Sequence, residues 1–430
     1  MIGALPPGLR RAVSAYTGIV TSVEECLAST GEPRLFQAAC EVGQGNVLLG
    51  SSLSHLSGIG GAGRSRAEAA SAAVGEAIER YSATYVPTEQ LVVAPARELP
   101  GAVAPERFAL FSDRQLVSTG FPFERFDRDT PVAWVEGYEL PGRRPAFLPA
   151  ELVYLGSAMP SGACSIGYAT SSGLACGDTR VETLVRGLFE LVERDAFMIV
   201  WAGRLSLPLV DLGARPDSPF EAAGLTFSAI DLSVFHQVPT VLGVVRAPAG
   251  FPGAVGVGAA AAPTVERAWW KALAEAYACR SAGAKLALLQ TAQGSVETGR
   301  VATFEDHIVR YADHAHSPAT AFLDASPTRV EAEAIAPLEG AGAEDWLTSL
   351  CRRIDRAGST AYAVDVTSPD VAELGLTVSR VITPELCRLD VSHDARFLGG
   401  ARLYEAASAI GLRPAALTED GVNPDPHPFP

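Results

Sequence analysis

Apolar residues along this chain recur with two periods, one extended and one helical. Short runs rich in β-branched and aromatic residues predict strands at Val92-Val93, Ala133-Trp134-Val135, Val238 to Val245 and Ala361 to Val366. Helical spacing predicts a helix from about Arg66 to Thr84 and another from about Arg180 to Val200. Leu184, Val185, Leu188, Leu191 and Val192 make most sides of the second helix apolar, and the run Ala196 to Trp201 follows, so the helix is expected to be largely buried. A third helix is predicted from Thr264 to about Ala282, with Trp269, Leu273 and Tyr277 on one side. Pro/Gly-rich breaks near 96–106, 212–220, 247–253 and 336–343 are too short for free linkers. The expected fold is mixed α/β (α+β), with one compact domain over 51–405, an N-terminal segment 1–50 packed on it, and a Pro-rich C-terminal arm over 406–430.

The polar positions of the first two helices repeat. Glu76-x-x-Glu79-Arg80 returns as Glu190-x-x-Glu193-Arg194, and Ser57, Gly63, Arg66 and Glu68 meet Ser171, Gly177, Arg180 and Glu182 at the same offset of 114. Each copy is a Gly-rich approach, a start signal and a helix. Ser65-x-x-Glu68 and Thr179-x-x-Glu182 fit the capping box, in which hydroxyl and carboxylate satisfy the first orphan N–H groups. At roughly 100° per residue, Glu182, Arg186, Glu190 and Glu193 share a face about 80° wide, as do Glu68, Ala72, Glu76 and Glu79. Two carboxylate stripes facing a cleft repel each other unless a cation lies between them, and Mg²⁺ with phosphates suits such oxygen ligands. Read singly, Glu76–Arg80 and Glu190–Arg194 are i,i+4 pairs of an ordinary solvated helix, and Glu68 and Glu182 are caps. Duplication on a largely apolar helix favours a site, because buried carboxylates need partners.

On these residues the chain resembles the YcaO superfamily of ATP-dependent peptide-backbone modifiers. The resemblance takes in Gly61-Ala62-Gly63, Glu-Ala-Ile-Glu-Arg, and Thr170 to Gly177 leading into Glu-Leu-Val-Glu-Arg-Asp-Ala-Phe. Val378-Ser379-Arg380-Val381, Gly400 to Tyr404 and the terminal Pro426-His427-Pro428-Phe429-Pro430 complete it. It implies that Glu76, Glu79, Glu182, Glu190 and Glu193 hold Mg²⁺ around ATP phosphates, with Arg380 and Arg402 as phosphate contacts. Departures stand beside it. Ala62 replaces a lysine, Ala175 a serine, Asp178 an asparagine and Arg186 a glutamine, so the nucleoside and ribose contacts differ from the family pattern. Asp178 and Arg186 are kept as nucleotide-site positions, Arg186 pairing with a glutamate, contacting a phosphate, or marking a site that no longer binds nucleotide.

The P-x-P-x-P ending resembles the azoline-forming branch. That resemblance implies a cyclodehydratase converting Cys, Ser or Thr of a ribosomal precursor peptide into thiazoline or oxazoline. The α-carboxylate of Pro430 would serve as base or orienting group on a stiff polyproline arm. It also implies a separate leader-peptide-binding partner protein, a flavin-dependent azoline dehydrogenase as a further partner, and a homodimer. The alternatives are a thioamide- or amidine-forming relative, or a non-catalytic scaffold that binds peptide.

Composition narrows the remaining classes. A formal net charge of −15 without a basic block argues against nucleic acid. No apolar run reaches the roughly 18–20 residues that span a membrane, and the N terminus lacks a signal-peptide layout. The seven cysteines are scattered and lack C-x-x-C spacing, which suits reduced thiols of a cytoplasmic protein; Cys176 reads as a packed small residue. His314-x-His316 reads as a surface pair, His55 as a loop residue, and His427 lies where it could assist Pro430.

Overall fold

An alanine-rich stretch behind a serine start signal favours helix, and Arg66–Thr84 is one, with Ser65 Oγ accepting from the Glu68 N–H. The computed structural model describes residues 2–28, 32–33, 35–43, 59–213, 218–220, 224–292 and 299–429. Ser57, His55 and Pro430 therefore lie outside the described residues. Contacts divide the chain into two units that differ from the boundaries drawn on the sequence. The first comprises Met1–Leu27, Phe36–Leu191 and Gly340–Leu386; the second comprises Ala28–Leu35, Val192–Glu339 and Cys387–Pro430.

The first unit holds two antiparallel sheets. One has three strands in the order Val20–Cys26, Phe36–Val42, Gly60–Gly63. The other runs Val92–Pro95, Pro131–Glu139, Tyr362–Asp365, Thr377–Ile382, Leu174–Gly177, with Pro145–Pro149 added on Pro131–Glu139. The helix Arg66–Thr84 packs on Gly60–Gly63 and also on Leu174–Gly177. It comes so near the first of these that a Cβ on Gly61 or Gly63 would lie 2.4 or 2.5 Å from a helix backbone nitrogen. Two strand–turn–helix pieces occur here, Gly60–Gly63 into Arg66 and Leu174–Gly177 into Arg180. Gly173, just before the second piece, has φ +86°, and a Cβ there would sit 2.3 Å from the Val381 carbonyl. Only glycine fits that position.

The second unit is built on a five-stranded sheet in the order Val255–Ala261, Thr240–Arg246, Thr226–Asp231, Leu209–Asp211, Arg329–Glu331. Its last pair is parallel and the others antiparallel. The helix Val265–Ala292 packs on Val255–Ala261 and Thr240–Arg246. It runs ten residues past the expected Ala282, because Lys285-Leu286-Ala287-Leu288-Leu289-Gln290 are all good helix formers. The second glutamate helix likewise continues to Gly203.

The expected arm boundary at 406 falls inside a helix, Ala401–Ala409. Beyond that helix the tail is no loose extension. Val422 and Phe429 belong to the second unit's core, with Phe197, Trp201, Leu232 and Val257, and His427 is also buried. Apolar and aromatic side chains among the prolines supply the surface that holds it there. Among the described residues no helix is long and apolar enough to cross a membrane.

Candidate functional site

In the first unit the duplicated pattern brings three of its glutamates within electrostatic reach. Glu76 Oε1 pairs with Arg80 Nη2 at 2.6 Å, and its other oxygen accepts from the Gly60 N–H at 3.4 Å. Glu190 Oε2 accepts from the Gly173 N–H at 3.2 Å. Both Gly-rich approaches thus present a backbone N–H to the glutamate nearly three turns into the following helix. Glu79 interacts electrostatically with both Glu76 and Glu190. Burial of its carboxyl, then the charges of Glu190 and Glu76, push it well above the ordinary glutamate range, against the pull of Arg80 and Arg380. Cys176 is pushed up to about 12 by burial and by Glu79, which fits a packed thiol and not a nucleophile.

Around this trio the other expected residues take distinct places. Glu182 opens the second helix with its N–H donating to Thr179 Oγ1 at 3.4 Å. Glu182 Oε2 and Arg186 Nη1 both flank Gly177, each 3.9 Å from where a Cβ would stand. Arg186 is exposed and donates to the Cys176 carbonyl at 2.9 Å, and Asp178 is exposed beside it. Arg380 is 2% exposed and close enough to Glu79 to act on it, but two of its donors go to the carbonyls of Thr170 (2.6 Å) and Leu152 (3.0 Å). In the first copy Ser65 caps as expected, while the Glu68 carboxylate accepts from the Arg64 N–H at 2.9 Å and so shifts the reciprocal bond back by one residue.

The remaining expected residues lie in the second unit. Glu193, one helical turn after Glu190, is 2% exposed and pairs with Arg194 at 3.2 Å. Arg402 was expected on a phosphate. It grips Asp195, with Nε 2.8 Å from one oxygen and Nη2 2.7 Å from the other. Asp195 is fully buried and also meets His236 Nε2 at 2.7 Å and the Cys387 N–H at 2.8 Å. Arg402 and His236 hold its carboxyl well below the usual range, outweighing the opposing effect of burial. Asp195 was not among the expected site residues. Its signal was available, because an acid inside the apolar run ending at Trp201 must have a partner.

Does this arrangement fit a divalent metal? Among the described residues no three His, Cys, Asp or Glu side chains stand close enough to form a metal centre. The mutual repulsion at Glu79 nevertheless marks a place where a cation would be favourable. Mg²⁺ commonly takes one or two carboxylates together with phosphate oxygens and waters, and does not need an all-protein cage. The residues fit that mode, with Glu76, Glu79 and Glu190 as the candidate ligands in the first unit.

A family model described as YcaO cyclodehydratase, ATP- and Mg²⁺-binding, matches residues 60–387. A solved heterocyclase in complex with substrate and cofactor is similar over 98% of this chain and 56% of its own length, with TM-score 0.78 and 23% identity. The structure of YcaO from Methanopyrus kandleri bound with AMPPCP and Mg²⁺ is similar over 86% of each chain, with TM-score 0.57 and 20% identity. An uncharacterized protein of Methanothermobacter thermautotrophicus is 29% identical over 191 residues, 43% of this chain and 46% of that protein. This chain therefore spans about half the length of the heterocyclase, and at these identities the two structures establish the fold. With the family model matched over most of its length and the same fold in the solved structures, the chain belongs to the YcaO cyclodehydratase family, whose cofactors are ATP and Mg²⁺.

Proposed function

We propose that this chain is an ATP- and Mg²⁺-dependent cyclodehydratase that converts Cys, Ser or Thr residues of a ribosomally made precursor peptide into thiazolines or oxazolines. The observation that carries the reading is the convergence on Glu79 of glutamates from both copies of the duplicated pattern. Similarity to a heterocyclase solved with substrate and cofactor supports it.

In the proposed reaction the side-chain thiol or hydroxyl adds to the preceding carbonyl carbon. The former amide oxygen accepts the γ-phosphoryl group of ATP, then leaves as phosphate while the nitrogen loses its proton and the C=N bond of the ring forms. Bound Mg²⁺ supplies charge neutralisation and orientation of the phosphates. The chain's own part is to hold these groups. Glu76, Glu79, Glu182, Glu190 and Glu193 supply the acidic ligands, and Arg186 and Asp178, exposed at the start of the second helix, face the nucleotide. Arg380 balances charge beside Glu79. The α-carboxylate of Pro430 takes the nucleophile's proton, and a separate protein captures the leader of the precursor. Arg186 in place of a glutamine favours one competing reading, a peptide-binding scaffold that does not turn over ATP.

Calorimetric titration of Mg-ATP into the full chain, beside the Glu190→Gln/Glu193→Gln variant, tests this. Binding in the micromolar range by the wild type and its loss in the variant is the expected result. No binding by the wild type, with or without a candidate partner protein, would sink the enzyme reading and leave the scaffold.

A further inference from the structure

The two copies of the E-x-x-E-R pattern use their arginines differently. Arg80 turns back one helical turn to Glu76. Arg194 pairs with its neighbour Glu193 and lays its guanidinium over the ring of Phe429, 4.2 Å from the centroid. Phe429 is 1% exposed and also packs against Phe197, three residues beyond Arg194 on the same helix, at 4.7 Å between centroids.

The chain leading to Phe429 is held at every step. Four successive carbonyls each receive a side-chain donor: Asp425 from Trp201 Nε1 at 3.0 Å, Pro426 from the Tyr311 hydroxyl at 2.5 Å, His427 from His307 Nδ1 at 2.6 Å, and Pro428 from Cys279 Sγ at 3.9 Å. Prolines cannot offer the N–H ladder of a sheet edge, so side chains take over the pairing. His427 adds Nε2 to the Asp390 carbonyl at 2.8 Å and accepts the Phe429 N–H at 3.2 Å.

We infer that Arg194 is a positioning residue that seats the C-terminal arm through Phe429 and links that seating to the state of Glu193. A planar guanidinium can stack on the ring and pair with a carboxylate at the same time, which a lysine ammonium does less well. Nucleotide bound at the glutamates and a seated arm are then reciprocally coupled. The coupling rests on the nucleotide site proposed above; the seating by Arg194 stands without it.

Hydrogen exchange of the C-terminal peptide in the full chain tests both parts, since His427 and Phe429 carry its last backbone N–H groups among the described residues. Arg194→Met is expected to speed exchange there about tenfold, the scale of a desolvated cation–π contact, and Arg194→Lys to restore part of the protection. In a Phe429→Leu background the Arg194→Met change should add nothing further. Mg²⁺ with a non-hydrolysable ATP analogue should slow exchange at Phe429 in the wild type and not in Arg194→Met. Unchanged exchange in Arg194→Met would overturn the seating. Exchange in the strand Val255–Ala261 is the folding control; if it rises equally in Arg194→Met, the Lys variant decides, with wild-type control exchange but no regained protection at Phe429 overturning the seating. Calorimetric binding of the nucleotide without any change at Phe429 would overturn the coupling. Absence of calorimetric binding would instead count against the nucleotide site, while the Arg194 variants still decide the seating.

Discussion

Replacing Asp195 by Asn removes one charge from a heavily partnered carboxylate of the second unit and leaves its shape almost unchanged. In the wild type, four groups meet that carboxylate: two guanidinium nitrogens of Arg402, His236 Nε2 and the Cys387 N–H. An asparagine can still accept on one oxygen, but its amide nitrogen would point at a donor. Breaking one side of a buried ion pair typically costs about 3–5 kcal/mol, because the surviving charge stays buried. The Arg402 side chain is 15% exposed, which allows it some water, so about 3 kcal/mol is expected. Denaturant unfolding followed by tryptophan fluorescence reads this directly, as Trp201 lies on the same helix. The Asp195→Asn/Arg402→Met double variant should recover at least about 1 kcal/mol over the single variant, since no unpaired buried charge remains. The pH dependence has a fixed sign. A carboxyl held below its unfolded value contributes stability above about pH 4 and loses it as pH falls below that. The gap between wild type and Asp195→Asn should therefore shrink in acid. A single-variant loss under about 1 kcal/mol, or no recovery in the double variant, would refute the reasoning.

Two further outcomes follow from other positions. Gly173→Ala forces a Cβ to 2.3 Å from the Val381 carbonyl at φ +86°, so the strand Thr377–Ile382 must shift. A loss of about 3 kcal/mol is expected by denaturant midpoint, and a change under about 1 kcal/mol would contradict the packing described. Burial raises Asp390 to about 7, while the Phe397 N–H and Arg396 pull the other way. The unfolded chain loses that proton near pH 4, so this group lowers stability as pH climbs from about 4 to 7. Asp390→Asn should gain on the wild type between pH 5 and 8, by on the order of 2–4 kcal/mol, and a difference independent of pH would remove the assignment.

Much of the first unit was legible because its signals are local. Ser65 and Thr179 mark helix starts by chemistry that acts within four residues, and helical geometry alone puts Glu76 with Glu79 on one face and Glu190 with Glu193 on another. What the sequence did not disclose is long-range. Arg402 is recognisable as a cation, but its choice of Asp195, 207 positions earlier, depends on how two distant segments pack. Arg380 was expected at a phosphate, and two of its donors meet carbonyls at 170 and 152, which no spacing rule announces. The proline-rich ending was readable as a stiff arm because alternating prolines favour an extended chain. Where that arm rests depends on partners for the aromatic between the prolines, which are Phe197 and Arg194.

Both units are assembled from three separated stretches of chain, and this bears on how the molecule is made. The strand Leu174–Gly177 gains its neighbour only when Thr377–Ile382 exists, and Pro131–Glu139, already flanked by Val92–Pro95 and Pro145–Pro149, is joined to the rest of the sheet only by Tyr362–Asp365. During translation the larger sheet of the first unit stays incomplete until some two hundred residues after Leu174–Gly177 has emerged. Such high contact order slows folding and leaves unpaired edges exposed to aggregation meanwhile. Fragments ending anywhere between Gly203 and Thr377 should therefore depend on chaperones or precipitate, however cleanly they seem to cut between helices.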